Sequence, residues 1–389
     1  MRKCSNCLLP ETYETIEIND NNMGCNMCAT TKFKEEKVDW IKRKKMLDNV
    51  IEKFRGKYDY DCIVPFSGGK DSTFTLMYLM EEYKIKPLVV RFNHGFMRSN
   101  HEKNVIKVLK KMGADFIDFT PNWNIVKKLM WESFDRKTDF CWHCHTGIYS
   151  YPLQIAIKFN VPLVLWGEPL AEMSAYYTYE EDAIEWEDEE KFNMYRNLGI
   201  TAQDMHGMIH KENDPIDVRD LHPYTYPDIN DLRKIGYYSV CLGSFIKWDY
   251  KKQTKLIMDK LGWTGDELEG VPLEINKEFA KIECWMQGTR DYIKYLKRGY
   301  GRITQLVNFE IRNGNISTEE AQKLIDEHEG RKPQSLKFFL EYMGITEQEF
   351  NEKVMSFAIP PHDPNFNLPL ADKLKDMGEW YREVNKKEK

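Results

Sequence analysis

A short polar stretch in the first quarter of the chain contains the residue types needed to bind a phosphate. Two adjacent glycines let a backbone approach a ligand closely, and the N–H groups at a helix start attract anions. A lysine adds a positive charge, and an aspartate can hold a magnesium ion that bridges phosphate oxygens. The residues of this phosphate loop are Ser67, Gly68, Gly69, Lys70, Asp71 and Ser72.

The residues that flank the phosphate loop predict the elements that position it. The apolar run 61–66 precedes the loop and apolar residues at helical spacing follow it, which indicates a strand, a tight loop and a helix. Asp71 or Ser72 is expected to cap that helix. The stretch differs from the Walker pattern, in which four residues separate the first glycine from the Gly-Lys pair. An ordinary glycine-rich turn is the competing interpretation, and the six residues together favour phosphate binding.

Two Cys-x-x-Cys pairs near the N-terminus have the spacing of a zinc ribbon. Seventeen residues separate the pairs, and four thiolates complete a tetrahedral zinc site with no open position, which makes the site structural. The segment between the pairs is polar and too short to fold without a metal ion that cross-links the two pairs. A redox disulfide pair and an iron–sulfur site are the alternatives. The predicted zinc ligands are Cys4, Cys7, Cys25 and Cys28.

Apolar runs alternate with helical segments in the middle of the chain, which predicts parallel βαβ units. The predicted strands are 61–66, 87–92, 115–119 and 161–166. Parallel sheets bind ligands at the carboxyl ends of their strands. The residues expected near an adenosine are therefore Asn93, Gly95, Gly167 and Glu168. His94 could contact the ligand or lie in a solvent-exposed loop.

The chain is predicted to comprise a zinc ribbon at 1–31, a helical connector at 32–58, an α/β core at 59–250 and a mainly helical region at 251–389. An acidic insertion near 170–214 interrupts the core, and eight of the eleven residues 180–190 are acidic. A charge run of this kind is typical of a solvated face, although the interleaved apolar residues leave room for a docking segment or a lid.

The composition is that of an ordinary globular protein and excludes some functions. The 389 residues are 42% hydrophobic and 30% charged, with a net charge of −6, which argues against indiscriminate nucleic-acid binding. The start of the sequence has no secretory signal, and no stretch is long and apolar enough to cross a membrane. We therefore expect a cytoplasmic protein.

Two further clusters could do chemistry. A short stretch rich in cysteine and histidine could bind a metal, supply a thiolate nucleophile or line a pocket at a helix start. Its members are Cys141, His143, Cys144 and His145. In the C-terminal region, Arg290, Lys294 and Lys297 fall on one helical face, which could clamp a carboxylate or a diphosphate or could be a solvated surface.

The phosphate loop resembles the pyrophosphate loop of the ATP pyrophosphatases, whose motif is Ser-Gly-Gly-x-Asp-Ser. Members of that superfamily adenylate a substrate oxygen and release pyrophosphate, after which a nitrogen or sulfur nucleophile displaces AMP. Further motifs together resemble the N-acetyl sugar amidotransferases over nearly the full chain. These motifs are Cys-x-x-Cys-Leu-Leu-Pro-Glu-Thr at the first cysteine pair, the Cys141/Cys144 pair, Gly167-Glu168, and the segments 263–267, 297–302 and 311–314.

The second resemblance implies a PP-loop (HUP-like) α/β fold and an enzyme that uses ATP, Mg²⁺ and a structural Zn²⁺. Enzymes of this family act in bacterial surface-polysaccharide or flagellin-glycan biosynthesis and convert an acetamido group into an acetamidino group with ammonia. One branch acts on sugars of the pseudaminic or legionaminic acid type, and another acts on nucleotide-linked sugars of lipopolysaccharide. The sequence contains no evident glutaminase domain, so the resemblance implies a separate glutaminase subunit that supplies the ammonia.

The resemblance also suggests a role for each residue of the site. Ser67, Gly68, Gly69 and Ser72 would bind the pyrophosphate, Lys70 would neutralise charge, and Asp71 would hold magnesium. The candidates for binding an acidic group of the sugar are Arg290, Lys297, Arg298 and Arg302. The main alternative function is a tRNA-thiolating enzyme that uses Cys141 and Cys144, and a non-catalytic nucleotide-binding scaffold is a third hypothesis.

Overall fold

The computed structural model describes residues 2–12, 16–19, 24–169, 171, 179, 188–276, 280–359, 362, 366, 368–372 and 374. The chain forms two compact units. The first comes from residues 1–38, 170–183 and 265–389, and the second from 39–169 and 184–264. Most of the predicted acidic run 180–190, up to position 187, lies outside the described residues.

Helices and strands follow one another closely along the chain. Up to the middle of the chain they are β1 (Ile18–Asn19), β2 (Gly24–Cys25), α1 (Asn26–Glu36), α2 (Trp40–Phe54), β3 (Cys62–Pro65), α3 (Lys70–Glu82), β4 (Pro87–Phe92), α4 (Ser99–Met112), β5 (Asp115–Phe119), α5 (Trp123–Lys137), α6 (Trp142–Lys158) and β6 (Leu163–Trp166). Beyond β6 they are α7 (Glu189–Lys191), a π-helical turn (Phe192–Arg196), α8 (Ala202–Ile209), a 3₁₀ helix (Val218–Tyr224), α9 (Ile229–Ile235), β7 (Tyr238–Cys241), a 3₁₀ turn (Leu242–Ser244), α10 (Tyr250–Leu261), α11 (Leu273–Asn276), α12 (Gln287–Arg298), α13 (Arg302–Arg312), α14 (Thr318–His328), α15 (Ser335–Met343) and α16 (Glu347–Met355).

The second unit is built on a five-stranded parallel sheet with the strand order β5-β4-β3-β6-β7. From β3 the chain continues to β4 and β5 on one side, and it then crosses to β6 and β7 on the other. The strand order therefore reverses at β3, and a sheet of this type binds its ligand at the carboxyl edge of such a switch point. The predicted α/β parallel sheet is confirmed.

The central strands form because their side chains are apolar on both faces. All six residues of β4 and all four residues of β6 are buried, as expected for a parallel sheet covered by helices on each side. The helix after the phosphate loop begins at Lys70, and Gly69 occupies the N-cap in extended conformation. The expectation that Asp71 or Ser72 caps this helix is therefore wrong, because both lie within its first turn.

The first unit combines the N-terminal cysteines with the C-terminal helices. Strands β1 and β2 form a small antiparallel hairpin that leads into α1. The Arg312 guanidinium at the end of α13 donates a hydrogen bond of 2.7 Å to the hydroxyl of Thr31 in α1. Leu8 packs against the apolar cluster of α11, α13 and α14, which includes Val307. The predicted mainly helical C-terminal region is confirmed.

Within the described part of the chain, no helix is long and apolar enough to span a membrane.

Candidate functional site

The phosphate loop lies at the point where the strand order of the sheet reverses. It connects β3 to α3, and the ends of the neighbouring strands β4 and β6 lie at the same edge because all three strands are parallel. The register pairs Pro65 with Val90, and it pairs Ile63 with Val164. The phosphate loop and the residues after β4 and β6 therefore share the carboxyl edge at which nucleotides bind in sheets of this class.

Gly68 has a conformation and a packing that require glycine. Its φ angle is +84°, in the region that side chains disfavour. A Cβ at this position would lie 2.3 Å from Val105 Cγ2 and 3.0 Å from His101 Nε2, both on α4. The tight turn places the next two residues at the start of α3, where the helix dipole favours an anion.

The donors of the phosphate loop converge on a small region. The hydroxyls of Ser67 and Ser72 lie 3.2 Å apart. The N–H of Gly68 donates to the Ser72 hydroxyl at 3.1 Å, and the N–H of Gly69 donates to the Ser67 hydroxyl at 3.2 Å. Two hydroxyls and two amides thus form one hydrogen-bonded group at a helix start, and these are the donor types that bind phosphate oxygens.

Lys70 and Asp71 supply the charges of the site. Their side chains form an ion pair in the first turn of α3, with the lysine 14% and the aspartate 22% exposed. The Asp71 carboxylate has the hard oxygen ligands that Mg²⁺ prefers, and Lys70 has the point charge suited to a phosphate. The composition of the loop therefore fits both a polyphosphate and the magnesium ion that accompanies it.

Gly167 brings the end of β6 against the phosphate loop. A Cβ at Gly167 would lie 2.8 Å from the Thr75 hydroxyl and 3.4 Å from the Asp71 carbonyl oxygen, so a side chain here would displace the Thr75 hydroxyl. Its own carbonyl accepts a 3.1 Å hydrogen bond from the N–H of Gly243. Glu168 follows directly and is half-buried. The structure thus places the predicted pair Gly167-Glu168 beside the first turn of α3.

The residues after β4 form a compact turn. The Asn93 side-chain oxygen accepts a 2.9 Å hydrogen bond from the N–H of Gly95, and the ring of Trp123 covers Gly95. His94 is only 4% exposed, and its Nδ1 accepts a hydrogen bond from the N–H of Phe96, so the alternative of a solvent-exposed loop histidine is wrong. Asn93 and Gly95 are half-buried at the carboxyl edge of the sheet.

The cysteine and histidine cluster lies at the start of α6, as one of its three interpretations expected. Cys141 is the N-cap residue and is buried, whereas Cys144 in the first turn is half-buried. Burial lowers the pKa of His143 to about 4, so this imidazole is neutral at pH 7. Within the described part of the chain, three or more metal-ligating side chains converge only at the four N-terminal cysteines. The metal, thiolate and pocket interpretations of the α6 cluster therefore stay predictions.

The four N-terminal cysteines form a closed ligand cluster in the first unit. The Sγ atoms of Cys4 and Cys28 are 3.9 Å apart, and Cys25 Sγ lies 3.6 Å from Cys7 Sγ and 3.8 Å from Cys28 Sγ. A tetrahedral zinc site with Zn–S bonds of about 2.3 Å requires sulfur–sulfur distances of about 3.8 Å. Gly24, with φ of +72°, provides the turn before the second pair. The geometry fits a structural zinc ion held by thiolates alone.

A basic cluster in the C-terminal region lies on α12 and α13 in the first unit. Its members are Arg290, Lys294, Lys297, Arg298 and Arg302. Arg302 is held by two hydrogen bonds of 2.8 and 3.0 Å to the carboxylate of Asp291. The Lys294 ammonium lies 4.4 Å from the centre of the Tyr300 ring. Burial, and then the positive charges of Arg302, Arg298 and Arg290, lower the pKa of Lys294 to about 7, and Asp291 partly offsets them.

These contacts differ among the basic residues that were predicted to bind the substrate. Arg302 has a carboxylate partner. Lys294, which was predicted to share a helical face with Arg290 and Lys297, has its pKa lowered by the neighbouring guanidinium groups. Lys297 lies 5.7 Å from the ring centre of Phe357, and its carbonyl accepts a hydrogen bond from Ile359. A lysine whose pKa is lowered by burial and by neighbouring cations is a candidate functional residue.

Comparisons with known proteins connect the C-terminal region with glycan biosynthesis. Residues 279–364, which include α12 to α16 and the basic cluster, match the family described as "LPS biosynthesis protein WbpG-like, C-terminal domain". The chain is 24% identical over 217 residues to "Uncharacterized protein MJ1599" of Methanocaldococcus jannaschii, and this covers 53% of the chain and 76% of that protein. The family match connects residues 279–364 with lipopolysaccharide biosynthesis.

One solved structure shows a weak similarity. It is the U34-tRNA thiolase NcsA from Methanococcus maripaludis with its 4Fe-4S cluster, at 12% identity and a TM-score of 0.31. The similarity covers 83% of this chain and 88% of that one. Because the TM-score is so low, the likeness carries no argument for fold or function.

Proposed function

We propose that this protein is an ATP-dependent amidotransferase that converts the acetamido group of an N-acetyl sugar into an acetamidino group. The observation that supports it most is the hydrogen-bonded group of two hydroxyls and two amides at the start of α3, with Lys70 in the first turn of that helix, a donor set for the phosphates of ATP. The match of residues 279–364 to a lipopolysaccharide biosynthesis domain supports a sugar as the acceptor.

The reaction needs an activated oxygen because an amide oxygen is a poor leaving group. The acetamido oxygen attacks the α-phosphorus of ATP, and the bond to pyrophosphate breaks. Ammonia then adds to the imidate carbon, the carbon–oxygen bond breaks, and AMP leaves with that oxygen. The phosphate loop holds the departing pyrophosphate, and Lys70 balances the charge that develops on it.

Asp71, with the neighbouring hydroxyls, would hold the magnesium ion, and a bound Mg²⁺ stabilises negative charge on phosphate oxygens. Asn93, Gly95, Gly167 and Glu168 lie at the carboxyl edge of the sheet, where the adenosine would bind. The four N-terminal cysteines would hold zinc in a structural role, since four thiolates leave no open coordination position.

The basic cluster on α12 and α13 would bind the acidic group of the sugar. Arg290, Lys297 and Arg298 contribute positive charge, Lys294 does so only when it is protonated, and Arg302 is oriented by Asp291. A carboxylate of a nonulosonic acid and the diphosphate of a nucleotide-linked sugar both suit such a cluster. We place the reaction in the cytoplasm, where ATP is available.

Ammonia would come from a separate glutaminase subunit, as the resemblance to the amidotransferases implies. Transfer inside a complex would keep ammonia from being protonated in water. High ammonium should support the reaction of the isolated protein, whereas glutamine should support it only after the partner is added. Glutamine-dependent turnover by the isolated protein would contradict a separate subunit.

The proposed function is tested by measuring AMP and pyrophosphate release with ATP, magnesium, ammonium and a panel of acetamido sugars. We expect AMP only with the correct sugar, together with a product of amidine mass. Lys70→Ala and Asp71→Asn should abolish AMP release, and Lys57→Ala, a change at an exposed residue outside the site, should preserve it. Normal AMP release in the first two variants would show that the phosphate loop is not the reaction centre.

A tRNA-thiolating enzyme is the second candidate function. It is favoured by the position of Cys141 and Cys144 at the start of α6, where a helix N-terminus can stabilise a thiolate. This function predicts AMP release with tRNA and a sulfur donor, and it predicts loss of that activity in Cys144→Ser. Cys144→Ser should leave sugar-dependent AMP release intact if the reaction is amidine formation and the cysteine pair takes no part in it.

A further inference from the structure

We propose that His101 and Trp263 are positioning residues that fix the direction of the phosphate-binding amides of the loop. The inference rests on the proposed ATP site. Neither residue belongs to the phosphate loop: His101 lies in α4, and Trp263 lies just after α10. Each side chain contacts a carbonyl oxygen of the loop, and the two carbonyls belong to consecutive residues.

The first contact joins α4 to the start of the loop. Nε2 of His101 lies 2.6 Å from the carbonyl oxygen of Ser67, and the His101 side chain is fully buried. A carbonyl oxygen can only accept a hydrogen bond, so Nε2 must carry the proton. The imidazole therefore donates to the loop, and its tautomer is fixed by this bond.

The second contact joins the segment after α10 to the next peptide. The indole Nε1 of Trp263 donates a 3.1 Å hydrogen bond to the carbonyl oxygen of Gly68, and Trp263 is 1% exposed. The Thr73 hydroxyl is a weaker donor to the same oxygen at 3.5 Å. Trp263 opens the motif 263–267, for which the sequence alone suggests no role.

Asn104 links helix α4, which carries His101, to the segment that carries Trp263. Its side-chain amide donates to the Thr264 carbonyl at 2.6 Å, and its side-chain oxygen accepts from the Thr264 N–H at 3.0 Å and the Thr264 hydroxyl at 3.1 Å. Asn104 is fully buried. Thr264, the residue after Trp263, is therefore hydrogen-bonded to α4 one turn beyond His101. The two donors, His101 and Trp263, are thus held relative to each other through Asn104.

Peptide geometry explains why these contacts matter for phosphate binding. In a trans peptide the C=O of one residue and the N–H of the next point in opposite directions within one plane. Holding the Ser67 carbonyl therefore directs the N–H of Gly68, and holding the Gly68 carbonyl directs the N–H of Gly69. These are the two amides that converge on the serine hydroxyls. The two contacts therefore direct both amides towards the serine hydroxyls and both carbonyls towards His101 and Trp263.

The test separates hydrogen bonding from simple packing by means of conservative variants. Trp263→Phe keeps a buried aromatic ring and removes the N–H donor. His101→Leu removes the donor, whereas His101→Gln can place an amide N–H near the position of Nε2. Trp142→Phe is the matched control, because the Trp142 indole also donates to a backbone carbonyl, that of Ile200, away from the loop.

The measurement is the affinity of each full-length variant for inorganic pyrophosphate with magnesium, by calorimetry, together with its thermal unfolding. We expect Trp263→Phe and His101→Leu each to bind pyrophosphate about tenfold more weakly, the effect of losing one hydrogen bond. His101→Gln and Trp142→Phe should stay within about twofold of the native protein, and adenosine binding should not change in any variant.

Native pyrophosphate affinity in a folded Trp263→Phe variant would overturn the inference, as would equal weakening in Trp142→Phe. If His101→Leu fails to fold, Trp263→Phe decides alone. Failure of this inference can be told apart from failure of the proposed function. A native protein that binds pyrophosphate but makes no amidine contradicts only the proposed function, whereas no pyrophosphate binding by the native protein overturns both.

Discussion

Gly68 packs directly on Val105, so the phosphate loop cannot accept a side chain at its turn. A Cβ would lie 2.3 Å from Val105 Cγ2 at a φ angle of +84°. We expect Gly68→Ala to destabilise the protein by about 1–3 kcal/mol through strain and overpacking. Because the turn directs the loop amides, ATP binding should also be lost. Thermal unfolding and calorimetric titration with ATP measure the two effects.

A second substitution separates the two causes of that destabilisation. Val105→Ala in the Gly68→Ala background opens space, so it should recover part of the stability. It cannot relieve the positive φ, so ATP affinity should stay low. Unchanged ATP affinity in Gly68→Ala alone would contradict the role given to this turn.

Removal of zinc should unfold the N-terminal ribbon. The segment around β1 and β2 is held by the four-cysteine cluster, and a structural zinc site contributes directly to folding. We expect about one zinc per chain by elemental analysis and loss of that zinc in Cys25→Ser. Cys284→Ser is the matched control within the same unit and should retain the metal. Iron with visible absorption in place of zinc would support the iron–sulfur alternative.

The half-buried position of Lys294 should make stability depend on pH. Burial and the neighbouring guanidinium groups lower its pKa from the usual 10.5 to about 7, so the unfolded chain binds more protons between these values. The charged lysine therefore costs stability at pH 7 and below, and the cost falls as pH rises from 7 towards 10.5. Lys294→Met should be more stable than the native protein at pH 6.

The expected stability difference between Lys294→Met and the native protein should shrink between pH 7 and pH 9. Urea unfolding at several pH values measures it, and Lys337→Met, at an exposed lysine of α15, should show no such trend. A difference that grows with pH would mean that Lys294 is stabilised as a cation by a partner, contrary to its contacts.

Asp291 should matter for the basic cluster because it orients Arg302. Both hydrogen bonds of the pair involve partly buried side chains, with 12% of Arg302 and 14% of Asp291 exposed. Asp291→Asn would leave the guanidinium without its counter-charge, which should lower stability by about 1–3 kcal/mol. Chemical unfolding measures this change. Asp326→Asn, on the exposed face of α14, should have an effect of less than about 0.5 kcal/mol.

The strands near the site could be predicted because their sequences are continuous apolar runs bounded by loop residues. The predicted 87–92 and 115–119 agree with β4 and β5, and 61–66 and 161–166 contain β3 and β6. Strand β7 was missed because it contains a buried polar residue. Ser239 is fully buried, and its hydroxyl accepts a hydrogen bond from the Trp166 indole in the next strand, a contact that no local pattern reveals.

The buried face of helix α2 also differs from the face that the sequence pattern predicts. The spacing of its apolar residues predicts a buried stripe of Trp40, Met46, Val50 and Phe54, and of these only Val50 and Phe54 are buried. The buried face instead includes Arg43, whose guanidinium donates to the carbonyl of Ser244. A charged residue on the inner face is satisfied by a partner about two hundred residues away, so spacing alone points to the wrong face.

The phosphate loop was predictable because its residues are consecutive, whereas its supports were not. His101 and Trp263 contact the loop only through the tertiary fold, across sequence separations of 34 and 195 residues. The four-cysteine cluster was predictable from two regular pairs, and the confirmed convergence of its four sulfurs follows that spacing. For the basic cluster, helical periodicity showed a shared face but could not show that Arg302 is bound by Asp291.

The proposed reaction is tested most directly by following the acetamido oxygen. A sugar labelled with oxygen-18 in its acetamido group is incubated with ATP, magnesium and ammonium, and the products are analysed by mass spectrometry. One label should appear in AMP for each amidine formed, because the amide oxygen becomes bonded to the α-phosphorus and leaves with it. AMP without label, label in inorganic phosphate with release of ADP, or AMP formed only with tRNA and a sulfur donor would contradict the proposed reaction.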